Sequence, residues 1–342
     1  MKFLEILYNK VFVNLIIGRD DTTIYIENCA KNSVIDSYEN IFNTQKFSDE
    51  MLDYIKLYTK ETPFFYISIL DASLYQGAIP TCTKNRVSYY HDMSDSEYKC
   101  QDKKWIHYTA KTDLYAVEKK YSKIGSDFVF SPFSILSRFF KDKIDGHIAL
   151  FILMQESSIS IGIFQKSQLL YAQYISVEVN TQSDALISIE ENEDLLLDEE
   201  EIEEGIDLDD IDALDDIESL DDFGDIEDLD SLDDIDEFSK NEDVEEEFYE
   251  EAQQQEEEQD TEDITEVNDD YRRFTLIQNS INTFYKDEKY QGDFLENIYV
   301  ADAMGLSHDF KNYFEEEMYM NVYIRQISLG VEVSKLAKEE VL

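Results

Sequence analysis

Residues 148–177, IALFILMQESSISIGIFQKSQLLYAQYISV, read as a β-hairpin with a returning third strand. Ile148–Met154 is an apolar strand. Ser157–Phe164 alternates through Ile159, Ile161 and Ile163, Lys166-Ser167 makes a turn, and Leu169–Val177 comes back with aromatic-rich alternation. The same plan occurs once before. Val11–Ile17 is a short apolar run, Arg19-Asp20-Asp21 is a polar turn, and Thr22–Glu27 alternates with Ile24 and Ile26 on one side. A third strand follows at Ser33–Phe42, after Lys31-Asn32. Each set leads into helical material, so the chain carries one plan twice and belongs to the α/β class.

Between the hairpins, Ser48 is placed to cap a helix carrying Met51, Leu52, Ile55 and Tyr58, and Pro63 stops it before the buried strand Phe64–Leu70. Asp71–Gln101 is polar, tyrosine-rich and weakly patterned, and reads as an irregular excursion. Trp105–Ala110 is a strand. A helix over 112–123 shows Leu114, Val117, Tyr121 and Ile124 on one face, with Gly125 at its C-terminal end. A short strand at Phe128–Phe130 follows, then a helix led by Pro132 that runs to Phe140. Near the C-terminus, Phe274, Ile277, Ile281 and Phe284 form one helical stripe. Ile298–Ala301 is a strand, and Ser307 caps a helix with Phe310, Phe314 and Met318 at i, i+4 and i+8. Met320–Ile327 is a strand, and a last helix carries Val333, Leu336 and Ala337.

Charge splits the chain. Glu190–Asp270 holds 43 of the 78 Asp and Glu, with Lys240 its single basic residue, which leaves −42 of the formal −49 in that stretch. The other 261 residues are ordinary in charge. Within the run an apolar residue falls at every third position: Leu208, Ile211, Leu214, Ile217, Leu220, Phe223, Ile226, Leu229, Leu232, Ile235 and Phe238. A step of three precesses by about 60° on an α-helix, so no fixed face forms, and a strand needs period two. With so many repelling carboxylates the run is expected to be a disordered loop. It reads either as a solvated linker or as an array of docking positions for a basic partner. A calcium array would need glycine at fixed loop positions, and glycine is nearly absent here.

Composition excludes several classes. Only 3 prolines occur, and the density of Tyr, Phe and Ile argues for sheet-containing layers. No stretch approaches the ~20 apolar residues of a membrane span. MKFLEILYNKVFVNLIIG is interrupted by Glu5, Asn9 and Lys10, unlike a signal peptide. Cys29, Cys82 and Cys100 cannot all pair and none lies in a CxxC, so they are read as reduced thiols of a cytoplasmic protein. Cys82, His91, Cys100 and His107 could ligate zinc, but their spacing fits no zinc module, so no metal is expected. GxSxG, GxxxxGK[ST], HExxH and GxGxxG are all missing. With 4 histidines, acid–base chemistry would fall to undistinguished carboxylates. Nucleic-acid binding is disfavoured by the lack of a basic stripe. A nucleic-acid mimic would leave the two ordered parts unexplained.

The layout resembles the actin-like (RNase H-like) two-lobed fold. Within it, the chain resembles PilM-like pilus-assembly proteins and the cytoplasmic part of GspL-like type II secretion proteins. WIHYTAKTDLYAVEKKYSKIGSDFVFSPFSIL is similar to that family's inserted subdomain, IALFILMQESSISIGIFQKSQLLYAQYI to its second-lobe hairpin, and NIYVADAMGLSHDFKNYFEEEMYMNVYI to its closing element. The resemblance implies a first lobe over 1–145 with an insert at about 100–131. It implies a second lobe over 146–189 and 271–342, interrupted by the acidic insertion 190–270. The lobe must then close across that insertion, with both of its anchors close together. In ATP-binding members an Asp-x-Gly turn in each hairpin and paired glycines after the closing strand let the backbone approach phosphate. The corresponding positions here are Asn14 and Ile16, Ile152 and Met154, and Ala301 and Asp302. Side chains there would block phosphate-cradling contacts. The resemblance therefore implies a non-enzymatic, cofactor-free cytoplasmic scaffold, peripheral to the inner membrane through its partners. Those partners would be a PilN-like tail or a secretion ATPase, in a pilus, type II secretion-like or competence machine. The alternatives are a protein whose acidic repeat is its binding part, and a degenerate actin-like ATPase.

Overall fold

In the computed structural model of the chain, every residue of β1 (Lys10–Ile17) is buried, because alternate side chains enter two different cores. Phe12 and Ile16 join a core shared with the second half of the chain. Val11, Val13, Leu15 and Ile17 pack on the other face of the sheet. A strand covered on both faces reads as a continuous apolar run. β9 (Ala149–Met154) repeats the pattern, with Phe151 and Leu153 in the shared core and Leu150, Ile152 and Met154 on the outer side. The structure describes residues 8–30, 33–144, 146–177, 269–290 and 293–341, which fall in one compact unit. Residues 190–268 of the insertion read as disordered, with its docking positions Leu208 to Phe238, lie outside the described residues, whereas 269 and 270 already belong to a helix, Asp270 buried in it.

The two sheets share one topology. β2 (Thr22–Ala30) and β3 (Ser33–Phe42) extend antiparallel from one side of β1, and β4 (Phe65–Asp71) and β8 (Phe128–Val129) extend parallel from the other. The order is β3-β2-β1-β4-β8. β10 (Ser158–Gln165) and β11 (Gln168–Ser176) stand in the same antiparallel relation to β9, and β12 (Asn297–Asp302) and β13 (Asn321–Gln326) in the parallel one. That order is β11-β10-β9-β12-β13. Two copies of one mixed sheet, joined through a common core, make this the actin-like α/β fold that the sequence layout resembles.

Helices close both outer faces. α1 (Asp49–Thr59) starts at Ser48, whose Oγ accepts from the Met51 N–H at 3.2 Å. Met51 and Ile55 of α1, with Val117 of α3 (Lys111–Lys120), cover the first sheet. Phe274, Ile277, Ile281 and Phe284 of α6 (269–286), with Phe310 and Phe314 of α7 (His308–Glu317), cover the second. Between the sheets lie α4 (Pro132–Phe139), the short α5 (Lys141–Ile144) and α8 (Leu329–Val341). Phe133, Ile135 and Leu136 of α4 meet Val333 and Ala337 of α8 in the shared core. α8 lies so close to β2 that a Cβ on Gly330 would sit 2.5 Å from the Tyr25 Cβ, so only glycine fits there. Next to this contact, buried Glu27 accepts from Ser334 Oγ at 2.7 Å and from Lys338 Nζ, tying the last helix back to the first sheet.

The inserted subdomain is found at 76–110, not at about 100–131. Its sheet is β5-β7-β6, formed by β5 (Gln76–Ile79), β7 (Trp105–Ala110) and β6 (Ser96–Gln101), with α2 (Lys84–Tyr90) in the intervening segment. Asp71–Gln101 is therefore structured, not irregular. Of the segment read as the insert, only β7 and the end of β6 belong to it, because β8 pairs with β4 through Ser68↔Phe128 in the first sheet. The cysteines differ from expectation too. Cys82 and Cys100 are joined in a disulfide, with 5.8 Å between their Cα atoms, and Cys29 alone is free and buried. Parity left one pair possible, and the fold supplies the Cα spacing that a disulfide requires.

Candidate functional site

In doubly wound folds a ligand is met at the carboxyl ends of the central parallel strands. Here those ends are Ile17 of β1, Asp71 of β4, Met154 of β9 and Asp302 of β12, with Ile17 paired to Asp71 and Met154 to Asp302. Asp71 and Asp302 thus occupy equivalent positions in the two sheets. The Asp302 Oδ1 accepts from the N–H groups of Met304 at 3.0 Å and Gly305 at 2.9 Å, and its Oδ2 accepts from Leu306 at 2.9 Å. Gly305 has φ +86°, which lets the loop curl round the carboxylate. Asp71 does the same on a smaller scale, accepting from Ser73 N–H at 2.9 Å and Ser73 Oγ at 2.6 Å. In both loops a carboxylate of the chain holds backbone donors of the kind that would face a phosphate.

The hairpin turns beside those ends are also capped from within. The Gln45 amide donates to the carbonyls of Gly18 and Arg19 in the first turn. The Arg273 guanidinium, almost fully buried, donates to Gln155 O at 3.0 Å and to Glu156 O at 2.8 Å in the second. Burial pulls the Arg273 pKa below the usual guanidinium range, opposed by the charges of Asp269 and Asp270. Asp270, at the start of α6, accepts from the Ser307 N–H at 3.1 Å and so links α6 to the cap of α7.

The gap between the sheets is bridged as well. The Tyr174 hydroxyl of β11 donates to Ala72 O just beyond β4, beside Gln76 and Ser158, and burial raises its pKa. The Gln168 amide reaches Pro80 O at 3.0 Å and Lys104 O at 3.2 Å in the small subdomain. β5 also lies against β11, and the subdomain is fastened to the second sheet.

The positions read as degenerate phosphate loops fall differently from expectation. Asn14 is inside β1, fully buried, with its Nδ2 donating to Tyr25 O at 3.1 Å. Ile16 is also within β1, opposite Thr23 and Leu70, and lies in the shared core. Ile152 is buried in the middle of β9. These three are strand residues, not turn residues, because β1 runs on to Ile17 and β9 to Met154 before the chain reverses. Met154, Ala301 and Asp302 do meet at neighbouring strand ends. The sequence reading missed Gln45, Asp71, Tyr174 and Arg273. One signal was present: Asp71-Ala72 and Asp302-Ala303 repeat the same dipeptide at equivalent strand ends.

The small subdomain carries a second concavity, a cavity of about 340 Å³ lined by Cys82, Lys84, Ser88, His91, Asp92 and Tyr98 among others. The His91 ring stacks on Tyr108 at 4.2 Å, and burial lowers its pKa. His107 is held neutral, its pKa lowered to about 4 by burial and by the Lys99 charge. With Cys82 and Cys100 bonded to each other, the four-ligand zinc arrangement loses both its thiolates.

Comparison with known proteins gives family before function. No curated protein matches the chain. A protein of unknown function with an actin-like ATPase fold from Bacteroides thetaiotaomicron superposes over 95% of both chains at 9% identity, with a TM-score of 0.47. A PilM–PilN type IV pilus biogenesis complex gives 10% identity and a TM-score of 0.34, covering 49% of this chain and 62% of that one. MreB5 of Spiroplasma citri bound to ADP gives 11% and 0.25, covering 49% and 52%. None of these likenesses carries residue roles, and the fold assignment stands on the strand order. Residues 8–137 match a domain of unknown function, DUF8569. Residues 150–342, more than half of the chain, match the domain of unknown function DUF8341, and the chain belongs to that family.

Proposed function

We propose that the chain is a non-catalytic scaffold that binds protein partners at an inner-membrane assembly platform, of the pilus, type II secretion-like or competence kind. The observation that supports this reading is the occupation of the strand ends by the chain's own groups: Asp302 on the loop after β12, Arg273 on the β9–β10 turn, and Tyr174 across the gap. The carboxylates of Asp71 and Asp302 hold the loop donors at the two strand ends, so those donors are already engaged within the chain. A platform role needs a fixed body that presents surfaces, and a closed cleft supplies one. Partners in this reading are a PilN-like membrane-protein tail or a secretion ATPase, with the chain peripheral to the membrane. Among the described residues no helix is long and apolar enough to cross one. The Cys82–Cys100 disulfide weighs against a reducing compartment. The thiol content of the protein taken from cells therefore tests the cytoplasmic placement.

The direct test is isothermal titration of the full chain with magnesium-ATP. The expected result is no heat of binding, and micromolar affinity would overturn the nucleotide-free reading in favour of a degenerate ATPase. A second reading, in which the acidic repeat docks a basic partner, is favoured by one observation. The described segments on either side of the insertion are tied to the same turn, through Val177 N–H to Ser157 O at 2.8 Å and through Arg273 to Gln155 and Glu156. Pull-downs with and without residues 190–266 separate the two. Partners lost only on deletion would make the run the binding part.

A further inference from the structure

Among the described residues β3 is the longest strand at 10 residues, and its residues are exposed along its length except for the half-buried Phe42. Among the described residues it pairs with β2 alone, so its other side presents a row of free N–H and C=O groups. The other sheet edges are shorter or covered. β11 and β5 lie against each other, β8 has 2 residues, and β13 and β6 have 6 each. Proteins blunt long edges with charges, lysine above all, with proline or with bulges. β3 has no lysine or proline; it carries Asp36, Glu39 and one bulge, and it exposes Val34, Ile35, Tyr38 and Ile41 to between 39% and 57%.

We propose that β3 is a self-association edge, on which a second copy of this chain pairs antiparallel across a two-fold axis through Tyr38. The register decides the occupant. With Tyr38 opposite its own copy, Asp36 faces Asn40 and Ser37 faces Glu39, and Ile35 of one copy lies by Ile41 of the other at the ladder's ends. Tyrosine then meets tyrosine, and each acid meets an amide or a hydroxyl. A shift of one residue either way sets Asp36 against Glu39, or Asp36 against Ile41, both unfavourable cross-strand pairs. A strand whose charges and apolar positions complement themselves about one residue fits a second copy, which is the requirement of an isologous interface. Beside it, the Tyr38 ring lies 4.4 Å from Tyr58 and Phe42 lies 5.8 Å from Tyr54, so two α1 helices would bring an aromatic row to the same axis.

The size of the interface sets its strength. A bulge makes Ile35 the extra residue opposite β2, where pairing passes from Asn28↔Asp36 to Cys29↔Val34. The regular ladder is therefore Asp36–Asn40, closed at each end by Ile35 and Ile41. That is smaller than the ~1,600 Å² of a standard stable interface, so the dimer forms at high concentration. Each copy carries a formal −49, and this repulsion is screened by salt beyond about 8 Å at physiological ionic strength. Association therefore strengthens as salt rises, the reverse of an interface built on ion pairs.

Sedimentation equilibrium of the full chain, from low micromolar to near-millimolar concentration and at two salt levels, reads this directly. The mass should rise towards twice the 40.1 kDa of one chain, more so at higher salt. Ile41→Lys should weaken the dimer about tenfold or more, while Tyr115→Lys on α3 should leave it unchanged. Register is read by cross-linking. Asp36→Cys and Asn40→Cys should join when mixed with a short thiol-reactive linker, and neither should join to itself. A chain that is monomeric at every concentration, a dimer indifferent to Ile41→Lys, or cross-links in other pairs would each overturn the proposal. Monomers in which Ile41→Lys instead abolishes capture of a platform partner would assign the edge to a different protein.

Discussion

Arg273 is the residue on which the second hairpin turn depends. It is charged, 1% exposed, and spends its guanidinium on two carbonyls that have no donor nearer in sequence. Replacing it with methionine keeps the volume and leaves both carbonyls unpaired, which costs about 2–4 kcal/mol. Urea denaturation should show that loss for Arg273→Met and almost none for the neighbouring Arg272→Met, and equal stabilities would remove the turn-capping role. His107 makes a different kind of prediction. Its folded pKa is lowered from 6.5 to about 4, first by burial and then by Lys99. As pH falls the unfolded chain takes up the proton before the folded one does, so native stability drops between those two values. At about pH 5 the loss amounts to roughly 2 kcal/mol. Phenylalanine at 107 carries no proton. The stability difference between His107→Phe and the parent should therefore shift in favour of the variant by that amount from about pH 7 to about pH 5. A constant difference across that range would sink the assignment.

At the scale of elements, legibility followed burial. The hairpins, α1, α6 and α7 each bury a face, so their apolar residues repeat at period two or at i, i+4, and Ser48 and Ser307 mark helix starts by chemistry that the structure contains. β5, α2 and β6 gave no such signal. α2 buries none of its residues and β6 buries only Ser96, so neither needs an apolar face to be stable in place. Their order comes from the strand ladder with β7 and from the Cys82–Cys100 bond, and neither leaves a periodic trace. The strand ends failed for the opposite reason. β1 is buried on both sides, so nothing in VFVNLII marks where strand gives way to turn, and Asn14 and Ile16 were read two to four positions early. Asp302 stands in the sequence reading only as a replacement for a family glycine, and its three backbone donors from the following loop are legible only in the structure. Gln45, Tyr174 and Arg273 act across 26 to 118 positions of sequence, beyond any local pattern.

For the whole molecule, the doubled sheet makes the acidic insertion separable. Val177 at one end and Arg273 at the other bind the same turn at 155–157, so the fold closes the second lobe without help from the intervening segment. Composition gives residues 190–270 −42 of the formal −49. Replacing residues 180–266 with a short glycine–serine linker should then leave the near- and far-ultraviolet circular dichroism of the two lobes in place. The closed loop would shrink about tenfold, which lowers its closure cost by about 2 kcal/mol. Removing mutually repelling carboxylates acts in the same direction, most strongly at low salt. The deleted protein should therefore melt higher than the full chain, with the gain shrinking as salt is added. A deleted chain that melts lower, or loses its near-ultraviolet signal, would mean that the insertion packs against the lobes and is part of the fold. Because β3 lies on the other sheet, the same variant should also dimerise more readily than the full chain, its long-range repulsion being largely gone while the pairing edge is intact.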